Sequence, residues 1–98
     1  MLAPQGANGM VAWRLVVSGR VQGVGYRDWT RREATKRGLS GWVRNLPDGT
    51  VEAVIAGPPE ALAAMREAML RGPMLAKVAA IQQSDADARD APTPFERR

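Results

Sequence analysis

From Met10 to Ser18 the chain alternates: Val11, Trp13, Leu15 and Val17 fall on one face of an extended segment, and Ala12, Arg14, Val16 and Ser18 on the other. A period of two predicts a strand. The period then changes. In "YRDWTRREATKRG", Tyr26, Thr30 and Ala34, helped by Trp29, make a thin stripe at helical spacing. Lys36 and Arg37 fall in the last turn, where cations suit the helix dipole, and Gly38 ends the segment. "LSGWVRNL" predicts a second short strand, Pro47-Asp48-Gly49 a tight turn, and "TVEAVIAG" a third strand with Val51, Ala53 and Ile55 on one face. "PPEALAAMREAMLRG" is the clearest helix. Prolines open it, Glu60 sits in its first turn, and Arg71-Gly72 mark its end. Leu62, Met65 and Met69 line one face, a methionine spacing that favours core filling over a binding groove. "AKVAAIQQS" reads as a fourth strand, "DADARDAPTP" as a polar connection, and "FERR" as a candidate edge strand beginning near Phe95.

Strand, helix, strand, strand, helix, strand is the order of the ferredoxin-like α+β sandwich, a βαββαβ chain whose antiparallel sheet carries both helices on one face. Right-handed crossovers place the two strands that precede helices side by side in the middle. The expected core is Val11, Trp13, Leu15, Val17, Val51, Ala53, Ile55, Leu62, Met65 and Met69. Residues 1–9, with Pro4, Gly6 and Gly9, read as a flexible leader, and residues 10–98 as a single domain. Because this fold serves many functions, the site has to decide what the chain does.

Composition narrows the chemistry. Among 98 residues there is no cysteine and no histidine, which excludes disulfides, thiolate or imidazole metal sites, thiol nucleophiles and a histidine-based serine triad. The net charge is +4, and twelve of the 14 basic residues are arginine. Such an excess favours anionic ligands, from phosphate to nucleic acid. No signal-like start and no run of about 20 apolar residues is visible, so a cytoplasmic protein without membrane contact is expected. Asp48 and Glu52 are carboxylates that could bind a metal, but a turn role and a strand-surface role suit them better; no metal and no cofactor are expected.

The stretch that attracts chemistry is "SGRVQGVGYRDW", Ser18 to Trp29. It joins the first strand to the first helix and carries three glycines, no proline, two arginines and no carboxylate before Asp28. Every N–H from Gly19 to Tyr26 can donate. Gly19, Gly23 and Gly25 permit positive φ, and the helix that follows adds its positive end, so the turn is built like an anion nest. Arg27 stands in the first helical turn, where a cation opposes the dipole by about 0.3–1 kcal/mol. A bound anion removes that conflict. A solvated arginine compensated by Asp28 is the structural alternative at this point.

"GRVQGVGYR" followed by "GWVRNLPDGTVEAVIAG" resembles the acylphosphatase family, whose motifs pair a GRVQGV-x-[FY]-R loop with a downstream G-W-V-x-N strand and a DG-x-V turn. "GPMLAKVAAI" resembles the family's fourth-strand region. The resemblance runs from about Val11 to Ile81, and more loosely to Phe95. It implies a small, metal-independent enzyme that hydrolyses acyl phosphates to a carboxylate and inorganic phosphate, with phosphate as product and inhibitor. By position, Arg27 would bind the phosphoryl group and Asn45 would orient the attacking water. The backbone N–H groups of Arg20, Val21, Gln22, Gly23 and Val24 would cradle the phosphate oxygens. A monomer is expected. Two other readings compete. A non-catalytic module for a phosphorylated metabolite would use the same nest. An RNA-binding sheet would need aromatics interleaved with basic residues on its open face, and the chain has only Trp13, Tyr26, Trp29, Trp42 and Phe95 to offer.

Overall fold

Five strands form one sheet in the computed structural model, which describes residues 10–98; the expected leader at residues 1–9 lies outside the described residues. In chain order the elements are β1 (Val11–Arg20), α1 (Tyr26–Lys36), β2 (Ser40–Asn45), β3 (Val51–Gly57), α2 (Pro59–Arg71), β4 (Lys77–Asp85), one 3₁₀ turn (Ala88–Asp90) and β5 (Glu96–Arg97). In space the strands run β4-β1-β3-β2-β5. β1 and β3, the two strands that precede helices, are neighbours near the centre, as right-handed crossovers require. The ferredoxin-like architecture is present, with one correction. "FERR" adds a fifth strand that runs parallel to β2, so the sheet is mixed rather than antiparallel throughout. The cause is the route of the chain. β4 finishes at the end of the sheet where β2 begins, so a segment crossing to the far edge enters alongside β2.

Both helices bury their stripes against one sheet face. α1 contributes Tyr26, Thr30 and Ala34, and α2 contributes Leu62, Met65, Ala68 and Met69. The sheet answers with Leu15, Val17, Val43, Val51, Ala53 and Ile55. Met65 and Met69 fill the core. Val11 and Trp13, expected inside, are half-buried and pack against the core from its margin. Tyr26 does more than its stripe position predicts. Its hydroxyl donates to the Met69 carbonyl at 2.7 Å, which ties the start of α1 to the last turn of α2 and satisfies one of the carbonyls a helix end leaves open. Burial pushes the Tyr26 hydroxyl pKa up, so the group stays a donor.

Glu52 departs from the strand-surface role its alternation predicts. It points away from the helices, yet it is 4 % exposed, because the arginines of the neighbouring strands close over it. Arg14 Nε of β1 donates to one carboxylate oxygen and Arg44 Nε of β2 donates to the other at 2.6 Å. Burial pushes the carboxyl pKa up, but the hydrogen bonds from Arg44 and Arg14 and the two positive charges outweigh it, and the net shift is downward. Ionised Glu52 therefore stabilises the fold above the ordinary carboxylate range, and that contribution fades as pH falls through the depressed folded-state value. Glu52→Gln is expected to lower stability by about 1–3 kcal/mol at neutral pH, since it leaves two guanidiniums with a weaker acceptor. Urea unfolding from pH 7 down to pH 3 should show the gap between parent and variant closing on the acid side; a gap that widens there would contradict this account.

Candidate active site

β1 ends at Arg20, and five residues carry the chain across to α1. Val21 is buried in the core and anchors this loop from below. Gly23 and Gly25 take φ values of 75° and 79°, the left-handed region that glycine enters without a Cβ penalty. Gly25 is also the residue from which α1 starts; its carbonyl accepts from Trp29 N at 3.0 Å, and no side chain caps the helix. The first N–H groups of α1 and those of the loop thus lie together beside the helix's positive end.

β2 brings in the second half of the site. Val43 and Asn45 share a face by the period of two, and Val43 is fully buried under the helices. Asn45, at the strand's end opposite Val51, therefore points into the helical layer next to the start of α1. Its Oδ1 is buried and has no hydrogen-bond partner among the described residues. β5 supplies a third contribution. Pairing Val43 with Arg97 sets Arg97 on the same face, and its Nε meets Asp28 Oδ1 at 3.0 Å. Arg27, one residue earlier on α1, donates from Nη1 to the Arg98 carbonyl at 2.9 Å.

Between these groups lies a cavity of about 110 Å³, enough for roughly three or four water volumes. Val21, Gly23, Arg27 and Asn45, all predicted from sequence, line it together with Gly25, Tyr26, Asp28 and Arg97. Arg20, Gln22 and Val24, also predicted, are not in its wall. Arg20 is exposed at the end of β1 opposite Lys77, Val24 packs toward the core, and the Gln22 side chain turns to the β2–β3 turn. Asp28 and Arg97 were not foreseen as site residues. Reading "FERR" as a candidate edge strand was the available signal for Arg97, but neither its neighbouring strand nor its register was legible. Asp48 keeps its expected turn role, accepting from Thr50 N at 3.0 Å and Thr50 Oγ1 at 2.6 Å. Among the described residues no cluster of three carboxylates gathers that could hold a metal ion. A larger hollow of about 750 Å³ lies on the opposite sheet face beneath the 85–92 connection, and neither Arg27 nor Asn45 reaches it. Chemically, the small cavity offers the N–H donors of the loop and helix start, the Arg27 guanidinium, an Asp28 carboxylate paired with Arg97, and one unpartnered acceptor oxygen.

The acylphosphatase family model matches residues 13–97, which includes every group of this site. The chain belongs to the acylphosphatase family. It is 59% identical over 81 residues to an acylphosphatase of Azorhizobium caulinodans, covering 83% of this chain and 87% of that protein. Two solved acylphosphatase structures share its fold. That from Coxiella burnetii superposes with a TM-score of 0.91 at 31% identity, covering 98% of this chain and all of that one. That from Bacillus subtilis superposes at 0.84 with 39% identity, covering 90% of this chain and 98% of that one. The family motifs fall on the loop after β1 with the start of α1 and on β2, which wall the cavity together with Arg97 of β5.

Gly25→Ala places a Cβ in open space but in a left-handed conformation, which costs an L-residue about 1–2 kcal/mol. The expected result is a fold about 1 kcal/mol less stable and a weaker response to added phosphate. Chemical denaturation with and without phosphate measures both, and a variant as stable as the parent would count against the described loop conformation.

Proposed function

We propose that this chain hydrolyses acyl phosphates by direct attack of water on phosphorus, without a metal ion. Loop N–H groups of Arg20, Val21, Gln22, Gly23 and Val24 hold the phosphoryl oxygens, and the Arg27 guanidinium adds a planar fork that suits two of them. The observation that carries the reading is Asn45 Oδ1, an unpartnered buried acceptor in a cavity otherwise rich in donors. A buried acceptor left unpaired costs about 1–3 kcal/mol, and a phosphate oxygen would repel it. A water donates to it, and so an acceptor is what a site needs that holds a nucleophilic water beside an anion.

In the proposed step the water oxygen bonds to phosphorus while the bond between phosphorus and the acyl oxygen breaks. The electron pair leaves with the carboxylate, and the water proton passes to a phosphate oxygen of the substrate. A carboxylate whose conjugate acid has a pKa near 4 needs no general acid, which matches a chain without histidine. Catalysis then rests on position and charge stabilisation. Arg27 acts on substrate and transition state, Asn45 on the water alone.

The same reading includes a monomer in the cytoplasm that takes a small acyl phosphate and no nucleic acid. Among the described residues no helix is long and apolar enough to cross a membrane. On the open sheet face the aromatic side chain is Trp42, 8 % exposed and covered by the Arg44 and Arg98 guanidiniums at 5.0 and 4.8 Å from its ring, which leaves no platform for stacked bases. A module that only binds a phosphorylated metabolite has no use for the Asn45 acceptor.

With an aromatic acyl phosphate as substrate, turnover is expected to be unchanged by a chelator and competitively inhibited by phosphate. Arg27→Gln should weaken phosphate inhibition and remove most turnover. Asn45→Ala should lower kcat by about 10²–10³ and leave the phosphate Ki within a few-fold, the scale of losing one preorganised polar group. Steady-state kinetics with a melting curve for each variant decide it. Tight phosphate binding without turnover would select the binding module, and full kcat in Asn45→Ala would remove the water-orienting role.

A further inference from the structure

The Gln22 side chain leaves the phosphate loop and enters the neck of the β2–β3 hairpin. Its Nε2 donates to the Leu46 carbonyl and to the Thr50 carbonyl, both at 2.8 Å. These carbonyls bracket the turn: Leu46 N donates to Thr50 O at 2.9 Å, and Gly49 N donates to Leu46 O at 3.2 Å. Leu46 follows Asn45 directly, and Thr50 precedes Val51, the residue paired with Asn45. One amide group thus spends both its hydrogens on the two residues that flank the Asn45–Val51 pair. No other side-chain hydrogen bond among the described residues joins the loop to this turn.

We propose that Gln22 is a positioning residue for the reaction: its side-chain amide fixes the separation between the anion-holding loop and Asn45. The inference rests on the proposed role of Asn45. The loop sets where phosphorus sits, and the hairpin neck sets where the water sits. In-line attack requires those two positions to agree, and a misplacement of about 1 Å costs on the order of 10²-fold in rate. Along the chain α1 and β2 separate the loop from the neck, and the sheet couples them only through β3, where Val17 and Asn45 both stand opposite Val51. The Gln22 amide adds a direct side-chain tie through two hydrogen bonds. The role is distinct from that of the Gln22 backbone N–H, which survives any substitution of the side chain. Leu46 and Thr50 are half-buried, so water satisfies their carbonyls when the amide is removed, and the fold survives its loss.

Gln22→Met keeps length and shape and removes both donors. The expected outcome is a kcat lower by about ten- to a hundredfold, a phosphate Ki and a KM within a few-fold of the parent, and a melting midpoint within a few degrees. The deciding measurement is the double-mutant cycle with Asn45→Ala. A group that acts through Asn45 loses its effect once Asn45 is gone, so Gln22→Met in that background should lower kcat less than twofold further. An equal factor in both backgrounds, a Ki that rises in step with the kcat loss, or an unchanged kcat in the single variant overturns the proposal. Gln22→Leu, likewise uncharged and without amide donors, is read through the same cycle where Gln22→Met does not fold. If Asn45→Ala alone keeps full kcat, the water-orienting role of Asn45 falls together with this inference; if Asn45→Ala loses turnover while the cycle is multiplicative, only the inference falls.

Discussion

A central strand that ends and a helix that starts above it leave unpaired N–H groups in one place, and the organisation of this molecule follows from where that place lies. β1 pairs with β3 as far as Val17 and with β4 to its end at Arg20. Beyond Arg20 the backbone has neither strand partner, and α1 opens without a side-chain cap. In a buried location such donors would be costly. At the rim of the sheet they are open to the phosphoryl group proposed to bind there, provided no carboxylate reaches them unpaired. Asp28 is the carboxylate in the cavity wall, and Arg97 occupies it. The C-terminal strand is thus part of the electrostatics: it neutralises the one negative charge on the first turn of α1 and gives Arg27 a carbonyl to lean on.

The arginine in the first turn of α1 is the sequence's clearest departure from helix rules, and it is compensated locally. The unfavourable placement of Arg27 near the positive helix end is offset partly by the Arg98 carbonyl, and the remaining guanidinium donors face the cavity. A lysine could supply the charge but not the divided geometry, in which one edge of a planar group holds structure while another faces a ligand. Site and scaffold therefore share a side chain.

The elements, their order, the central β1–β3 pair and most of the core were legible in the sequence, because each follows from local periodicity and from the handedness of crossovers. The loop, Arg27 and Asn45 were legible as candidates because glycine spacing, the helix start and the family motifs are local too. What could not be read depends on lateral register between distant segments. Arg97 enters the site only because β5 runs parallel to β2 with Val43 opposite Arg97, a pairing nothing near "FERR" announces. Glu52 is buried because arginines from two other strands converge on it. Val11 and Trp13 obey the alternation and still sit at the margin, because alternation assigns a face and says nothing about how far along the strand the helices extend. The side chain of Gln22 was invisible for the same reason: its partners are carbonyls 24 and 28 residues away.

The six residues of β2, "SGWVRN", divide the chemistry between two faces. Trp42 and Arg44 face the open side; Val43 and Asn45 face the helices. A slip of one residue would send Arg44 toward the β1–α1 loop and Asn45 to the open face, since a strand's two faces exchange at every step. Hydrophobic burial of Val43 opposes that slip, but Val43 is a single small side chain. Glu52 adds a second constraint. It stands directly opposite Arg44 in the β2–β3 ladder and receives that guanidinium at 2.6 Å, while its other oxygen is taken by Arg14 from β1. A shifted β2 would break this pairing and bury a carboxylate with half its partners missing, a penalty larger than the loss of an exposed ion pair. The buried ion cluster on the open face thus holds the register that presents Asn45 on the other. In that sense the residue that most protects the position of the proposed water-orienting amide is a glutamate that never approaches the site.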